Sequence, residues 1–240
     1  VGIANVISPA HDEEEALPLL VPRLRGVLDG LGCSYEVLVV DDGSKDLTPA
    51  LLERERRQWP QLRVVRLRTN AGHQAALSAG LVRARGAYVV TIDADLQDPP
   101  EAIAAMLAHA RDNGLDVVYG VRSDRSSDTV FKRGTAHVFY TLIRTVSGTT
   151  AATHAGDFRL MSRATVDAVN QLPERNRVLR LVVPALGFPS GEVTYVRAER
   201  SAGRTKYSLS KMVSLSLDSL TGFSTAPLRV ATALGVAAGA

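Results

Sequence analysis

Asp93 and Asp95 stand two residues apart after the apolar run 88–92, so their carboxylates leave the same face of an extended chain and converge. Two like charges this close need a proton or a cation between them, and oxygen ligands suit a hard cation. The amide oxygen of Gln97 can add a third donor. A second acidic cluster, Asp41-Asp42-Gly43-Ser44, follows another apolar run. It offers carboxylates to a base or a ribose, and read alone it is equally a turn and helix cap. Other chemistries lose support. The chain has no G-x-G-x-x-G, no G-x-x-x-x-G-K-[ST] and no H-E-x-x-H, and its five histidines show no metal-ligand spacing.

Strand-length apolar runs alternate with helical patterns through the first half and must position these acids. Strands are expected over 2–8, 35–40, 62–67, 87–92 and 116–121, with helices over 13–31, 49–59, 74–85 and 101–113 between them. Strands apolar on both faces and alternating with helices imply an α/β fold, a mainly parallel sheet with helices on both faces. In such sheets ligands bind beyond the carboxyl ends of the strands. The segments 8–13, 41–44 and 93–98 all fall there.

Beyond Arg122 the pattern changes to a helix over 129–146, a short strand over 158–161, a helical stretch to 186, a strand over 191–197 and a helix from 210. The helices over 129–146 and 210–223 are amphipathic. Between Ser219 and Ala240 the only charged residue is Arg229. This tail is shorter than the roughly 20 apolar residues of a spanning helix and reads as the start of a membrane segment in a trimmed chain. The expected division is a catalytic domain over 1–209 and a juxtamembrane helix with a truncated membrane segment over 210–240.

Composition bounds the function class. The 240 residues are 45% hydrophobic and 22% charged, as in a globular protein, which excludes collagen-like and disordered chains. The single cysteine, Cys33, excludes an internal disulfide and favours a reducing compartment. Residues 1–120 carry 12 basic and 17 acidic side chains, net −5, whereas the remainder carries 16 and 8, net +8. An acidic half suits a cation that carries a phosphate, and a basic half suits phosphate or an anionic membrane surface. No basic tract with interleaved aromatics appears, so nucleic acid is not expected as a partner.

The segments Ser8-Pro9-Ala10-His11-Asp12-Glu13, Asp41-Asp42-Gly43-Ser44, Asn70-Ala71-Gly72, Asp93 to Glu101, Gly156-Asp157-Phe158-Arg159-Leu160-Met161 and Gly203-Arg204-Thr205-Lys206-Tyr207 follow in order along nearly the whole chain. As a set they resemble the polyprenyl-phosphate glycosyltransferases of glycosyltransferase family 2, in particular the bacterial branch similar to dolichol-phosphate-mannose synthase. The resemblance implies a GT-A fold, and inverting transfer of a sugar from a UDP- or GDP-sugar to a polyprenyl phosphate at the cytoplasmic membrane face. Homo-oligomerisation is left open. Carried over by position, it implies that Pro9, His11, Glu13, Asp42 and Ala94 line the nucleotide site, and that Asp93, Asp95 and Gln97 hold Mg²⁺ or Mn²⁺. Arg122 would contact phosphate, and Arg204 and Lys206 would close over the diphosphate or the lipid phosphate. Asp157 would stand near the acceptor, as an orienting group or a base. His11 and Asp12 replace the Tyr and Asn usual in the family.

Two readings from other classes stand beside this one. A haloacid-dehalogenase-like phosphohydrolase would use Asp93 as nucleophile and release inorganic phosphate. A catalytically silent membrane-peripheral nucleotide-binding module would show no metal-dependent turnover.

Overall fold

The computed structural model describes residues 4–123, 156–174 and 177–196. The first half alternates as the apolar runs require. β1 (Ala4–Ala10), β2 (Tyr35–Asp41), β3 (Leu62–Arg66), β4 (Tyr88–Thr91) and β5 (Val117–Arg122) are separated by α1 (Leu17–Asp29), α2 (Thr48–Gln58), α3 (His73–Arg83) and α4 (Ala102–Asn113). β6 (Arg159–Ser162), α5 (Arg163–Gln171), α6 (Leu179–Ala185) and β7 (Ser190–Tyr195) follow.

One seven-stranded sheet runs β3-β2-β1-β4-β6-β5-β7. β6 pairs antiparallel with both neighbours, and every other pairing is parallel. Because β6 runs backwards between β4 and β5, its first residue lies level with the carboxyl end of β4. Arg159 is opposite Thr91 on one side and Tyr119 on the other. Asp157 is thereby delivered to the edge that carries the 93–98 turn.

Alternate strand residues feed two cores, as the period of two demands. Val6, Val37, Val39, Val90, Val118 and Leu160 pack with apolar residues of α1, α2 and α4. Ile7, Leu38, Val40, Val89, Val117 and Met161 pack with those of α3, α5 and α6. Each of these strand side chains is at most 2% exposed, and full burial stabilises by roughly 1.5–3 kcal/mol per large aliphatic chain. A sheet covered on both faces leaves only its strand ends for polar chemistry.

Three elements differ from expectation. β1 continues to Ala10, because its ladder with β2 persists to the Ala10–Asp41 pair. α1 begins at Leu17 rather than 13, since Pro18 has no N–H to return to the Glu14 carbonyl, and residues 13–16 form a turn closed by the Ala16 and Leu17 N–H groups on the Glu13 carbonyl at 3.1 and 3.0 Å. The helical stretch before 186 is two helices, and Pro173 lies in the break between them. The expected helices over 129–146 and 210–223 and the 209/210 boundary lie outside the described residues. Among the described residues no helix is long and apolar enough to cross a membrane.

Candidate active site

Two loops interlock where β1 and β2 end. The His11 Nδ1–H donates to the Asp42 carbonyl at 2.9 Å, the Asp12 N–H to Ser44 Oγ at 3.0 Å and the Lys45 N–H to Asp12 Oδ1 at 2.8 Å. Asp12 adopts φ 52°, a left-handed conformation that an L-residue accepts when local hydrogen bonds hold it. The 4% exposed Asp42 takes the Ala71 N–H on Oδ1 at 2.7 Å and the Gly72 N–H on Oδ2 at 2.9 Å. Of the residues expected in a nucleotide pocket, Pro9 is buried within β1, while His11, Glu13 and Asp42 meet in these loops.

Gly43 makes the close approach possible. Its φ is +67°, and a Cβ there would stand 2.5 Å from the Thr69 carbonyl carbon and 2.6 Å from the Asn70 nitrogen. Gly43→Ala combines left-handed strain of about 1–2 kcal/mol with overpacking of about 1–3 kcal/mol. A loss of at least about 2 kcal/mol is expected in urea unfolding; a change under about 0.5 kcal/mol would show that the 69–70 backbone yields freely.

The 93–98 turn follows β4. The Gln97 N–H donates to Asp95 Oδ1 at 3.1 Å, which closes the turn. Leu96 has φ 61° and a side chain 3% exposed, so core burial holds a strained backbone in place. Ala94 is likewise buried. Asp98 accepts a hydrogen bond from the Tyr195 hydroxyl, and Tyr195 meets Phe158 edge-on at 5.5 Å between ring centroids. β7 and the approach to β6 are therefore tied to this turn. Arg122 ends β5 opposite Tyr195 and is exposed.

Asp93 fits a cation. Its Oδ1 is buried with no hydrogen-bond partner among the described residues. Burial pushes its carboxyl up to about 6; His73 opposes this, while Asp157, Asp98 and Asp95 add to it. A divalent ion relieves that crowding. Among the described residues no three His, Cys, Asp or Glu side chains close on one point. Asp93 and Asp95, with Gln97 in the same turn, suit a metal that takes one or two carboxylates and completes its shell with substrate phosphates and water.

The densest polar cluster surrounds Asp157, which is 7% exposed. Arg159, fully buried, donates from Nη2 to Asp157 Oδ1 at 2.9 Å. Arg180 donates from Nη2 to Oδ2 at 2.8 Å. His73 Nε2 lies 3.3 Å from Asp157 Oδ2 and 3.6 Å from Asp93 Oδ1, so it bridges the two acidic centres. Burial alone would raise the Asp157 carboxyl, but the His73 contact and the charges of Arg180 and Arg159 hold it well below the ordinary range. Burial alone would lower His73, and Asp157 and Asp93 outweigh it, so the imidazole is raised. A carboxylate whose ionised form is favoured by neighbouring cations orients and stabilises charge.

His73, Gln74 and Arg180 belong to none of the motif segments, and Arg159 lies within the 156–161 segment without a role implied by the resemblance. The one available signal was Gly72, whose φ of +94° caps α3 and presents His73. Arg204 and Lys206 lie outside the described residues.

A family model described as glycosyl transferase family 2 matches residues 5–169. The chain belongs to glycosyltransferase family 2. An uncharacterized glycosyltransferase of Bacillus subtilis strain 168, YkcC, is 40% identical over 97% of this chain and 72% of its own length. A prophage bactoprenol glucosyl transferase homolog of Escherichia coli K12 is 38% identical over 97% and 76%. Among solved structures, glucosyl-3-phosphoglycerate synthase of Mycobacterium tuberculosis with Mn²⁺, UDP and glucosyl-3-phosphoglycerate superposes with a TM-score of 0.64 at 21% identity, covering 92% of this chain and 80% of that one. A mannosyltransferase of Pyrobaculum calidifontis with GDP-Man and Mn²⁺ gives 0.58 at 22%, covering 85% and 58%. The family 2 chain thus has a GT-A-like fold, and membership favours a glycosyltransferase over a phosphohydrolase that uses Asp93.

Proposed function

We propose that this glycosyltransferase moves a sugar from a UDP- or GDP-sugar to a polyprenyl phosphate, with inversion at the anomeric carbon. The observation that carries the reading is a two-signed strand edge. The orphaned oxygen of Asp93 stands on one side of His73, and the arginine-held Asp157 on the other. Relatives named bactoprenol glucosyl transferase over 97% of the chain support the acceptor, and neighbours solved with Mn²⁺ and nucleotides support the donor.

A phosphate monoester has its second pKa near 6 and is already largely dianionic at neutral pH, so it needs no strong base. Its oxygen attacks the anomeric carbon as the bond to the nucleoside diphosphate breaks, and the charge passes to the leaving group. A bound Mg²⁺ or Mn²⁺ supplies Lewis-acid neutralisation of that charge. Asp93 and Asp95 hold the ion, Asp42 and the 11–13 loop shape the nucleotide pocket, and Asp157 orients the cations around it. Arg122, Arg204 and Lys206 meet the phosphates.

Full-length chain with UDP- and GDP-sugars, Mn²⁺ or Mg²⁺ and undecaprenyl phosphate tests this. Nucleoside diphosphate should be released only when one cognate sugar nucleotide and the lipid are both present. Release without lipid, or release of inorganic phosphate, counts against it. In the same assay Arg204→Ala should lower turnover more than nucleotide affinity.

The reading places the enzyme at the cytoplasmic membrane face, because each buried lipid methylene stabilises by about 0.8 kcal/mol and keeps the acceptor in the bilayer. Vesicle flotation with and without residues 210–240 checks it: only the longer form should bind anionic vesicles. Equal partitioning of both forms sinks the assignment of the anchor.

A further inference from the structure

Two side chains of the Asp157 cluster, half-buried Gln74 and fully buried Arg159, share one design. Gln74 reaches Asp157 Oδ2 with Nε2 at 3.5 Å and accepts the Leu179 N–H on Oε1 at 2.9 Å. Arg159 donates from Nη2 to Asp157 Oδ1 at 2.9 Å and from Nη1 to the Leu179 carbonyl at 2.7 Å. The carboxylate and the Leu179 peptide are therefore clamped together twice, once from α3 and once from β6. The residue that this clamp positions is the next one, Arg180.

Arg180 differs from Arg159 in exposure. Arg159 is wholly buried, with bonds to Leu179, Gly156 and Asp157. Arg180 shares the same carboxylate but leaves 42% of its side chain exposed. A core-stabilising arginine does not need that exposure, and a surface arginine does not need its backbone fixed by two side chains from other elements. An arginine preorganised in this way loses little freedom when it takes an anion.

Charge selects the anion. The 93–98 turn carries Asp93, Asp95 and Asp98 and admits an anion that arrives with a cation. Around Asp157 the balance reverses, since Arg159, Arg180 and His73 surround one carboxylate. That side suits an anion without a metal of its own, and an oxyanion matches the fork of a guanidinium. Resting on the function proposed above, we propose that Arg180 binds the phosphate of the acceptor, and that Gln74, Arg159 and Asp157 are positioning residues that hold it there. The donor diphosphate is the other source of the same chemistry, and the test separates the two.

Calorimetry on full-length protein loaded with UDP and Mn²⁺ reads farnesyl phosphate binding, and a second titration reads UDP in Mn²⁺. Arg180→Gln should weaken farnesyl phosphate at least ten-fold and leave UDP within two-fold. Arg180→Lys, which keeps the charge and loses the fork, should weaken farnesyl phosphate less, by about three-fold, and remains readable if the glutamine variant does not fold. In turnover with undecaprenyl phosphate, the acceptor KM should rise while the donor KM holds. Equal weakening of UDP and farnesyl phosphate overturns the assignment to the acceptor, as does unchanged binding of both. Wild-type protein that binds UDP but neither farnesyl phosphate nor undecaprenyl phosphate would overturn the acceptor class itself, and Arg180 with it.

Discussion

Asp93→Asn should lower sugar transfer by about 10²–10³-fold, in line with the loss of one preorganised charge at a developing anion, and should remove the metal dependence of nucleotide binding. Asp93 Oδ1 is buried without a hydrogen-bond partner among the described residues, and burial together with Asp157, Asp98 and Asp95 opposes its ionisation more than His73, 3.6 Å away, favours it. Such an arrangement costs the metal-free fold and serves only when a cation arrives. The same substitution should therefore leave the melting temperature of metal-free protein unchanged or raise it, because it deletes a charge from a like-charge cluster. Calorimetric titration of UDP with and without Mn²⁺, together with a thermal melt, reads both outcomes. A variant that melts well below wild type in the absence of metal would mean that Asp93 is a structural acid. Nucleotide affinity equal with and without Mn²⁺ in wild type would remove the metal from the site.

Arg159→Met should be the most damaging single change to stability in the second half of the described chain. The guanidinium is fully buried and makes three hydrogen bonds, to the Leu179 and Gly156 carbonyls and to Asp157. Removing one partner of a buried ion pair costs roughly 3–5 kcal/mol, which at this chain length is a melting-temperature drop of roughly 6–20 °C. Asp157→Asn should also destabilise, since it leaves Arg159 buried beside a neutral side chain. Because the two residues share one interaction, their effects should fall short of additivity by about 1–3 kcal/mol in a double-mutant cycle. Additive losses would show that Arg159 acts through its two carbonyl contacts alone. Arg180 and His73 remain beside Asp157 in the Arg159 variant, and a loss below about 1 kcal/mol would mean that they satisfy the carboxylate without Arg159.

Local patterns made the frame legible. Five strands and four helices of the first half follow from apolar runs and helical spacing, and the acids lie at strand ends because Asp41 and Thr91 are where those runs stop. Motif order carried the family, since residues 5–169 match its model. The start of α1 departs from the apolar pattern because Pro18 lacks the N–H that would bond the Glu14 carbonyl, which leaves residues 13–16 as a turn.

The covered α/β sheet and the Asp-x-Asp turn can be read from the chain, because strand-length apolar runs that alternate with helical spacing are local patterns and the acids stand where one such run stops. What surrounds Asp157 depends on the assembled sheet. β6 enters the sheet antiparallel between β4 and β5, and this reversal brings residue 157 beside His73 and Asp93. α6 then supplies Arg180, 23 residues further on. Strand direction is set by which crossover packs both cores, a property of the whole chain rather than of any window in it. Sequence spacing therefore carries no trace of the His73–Asp157–Arg180 cluster.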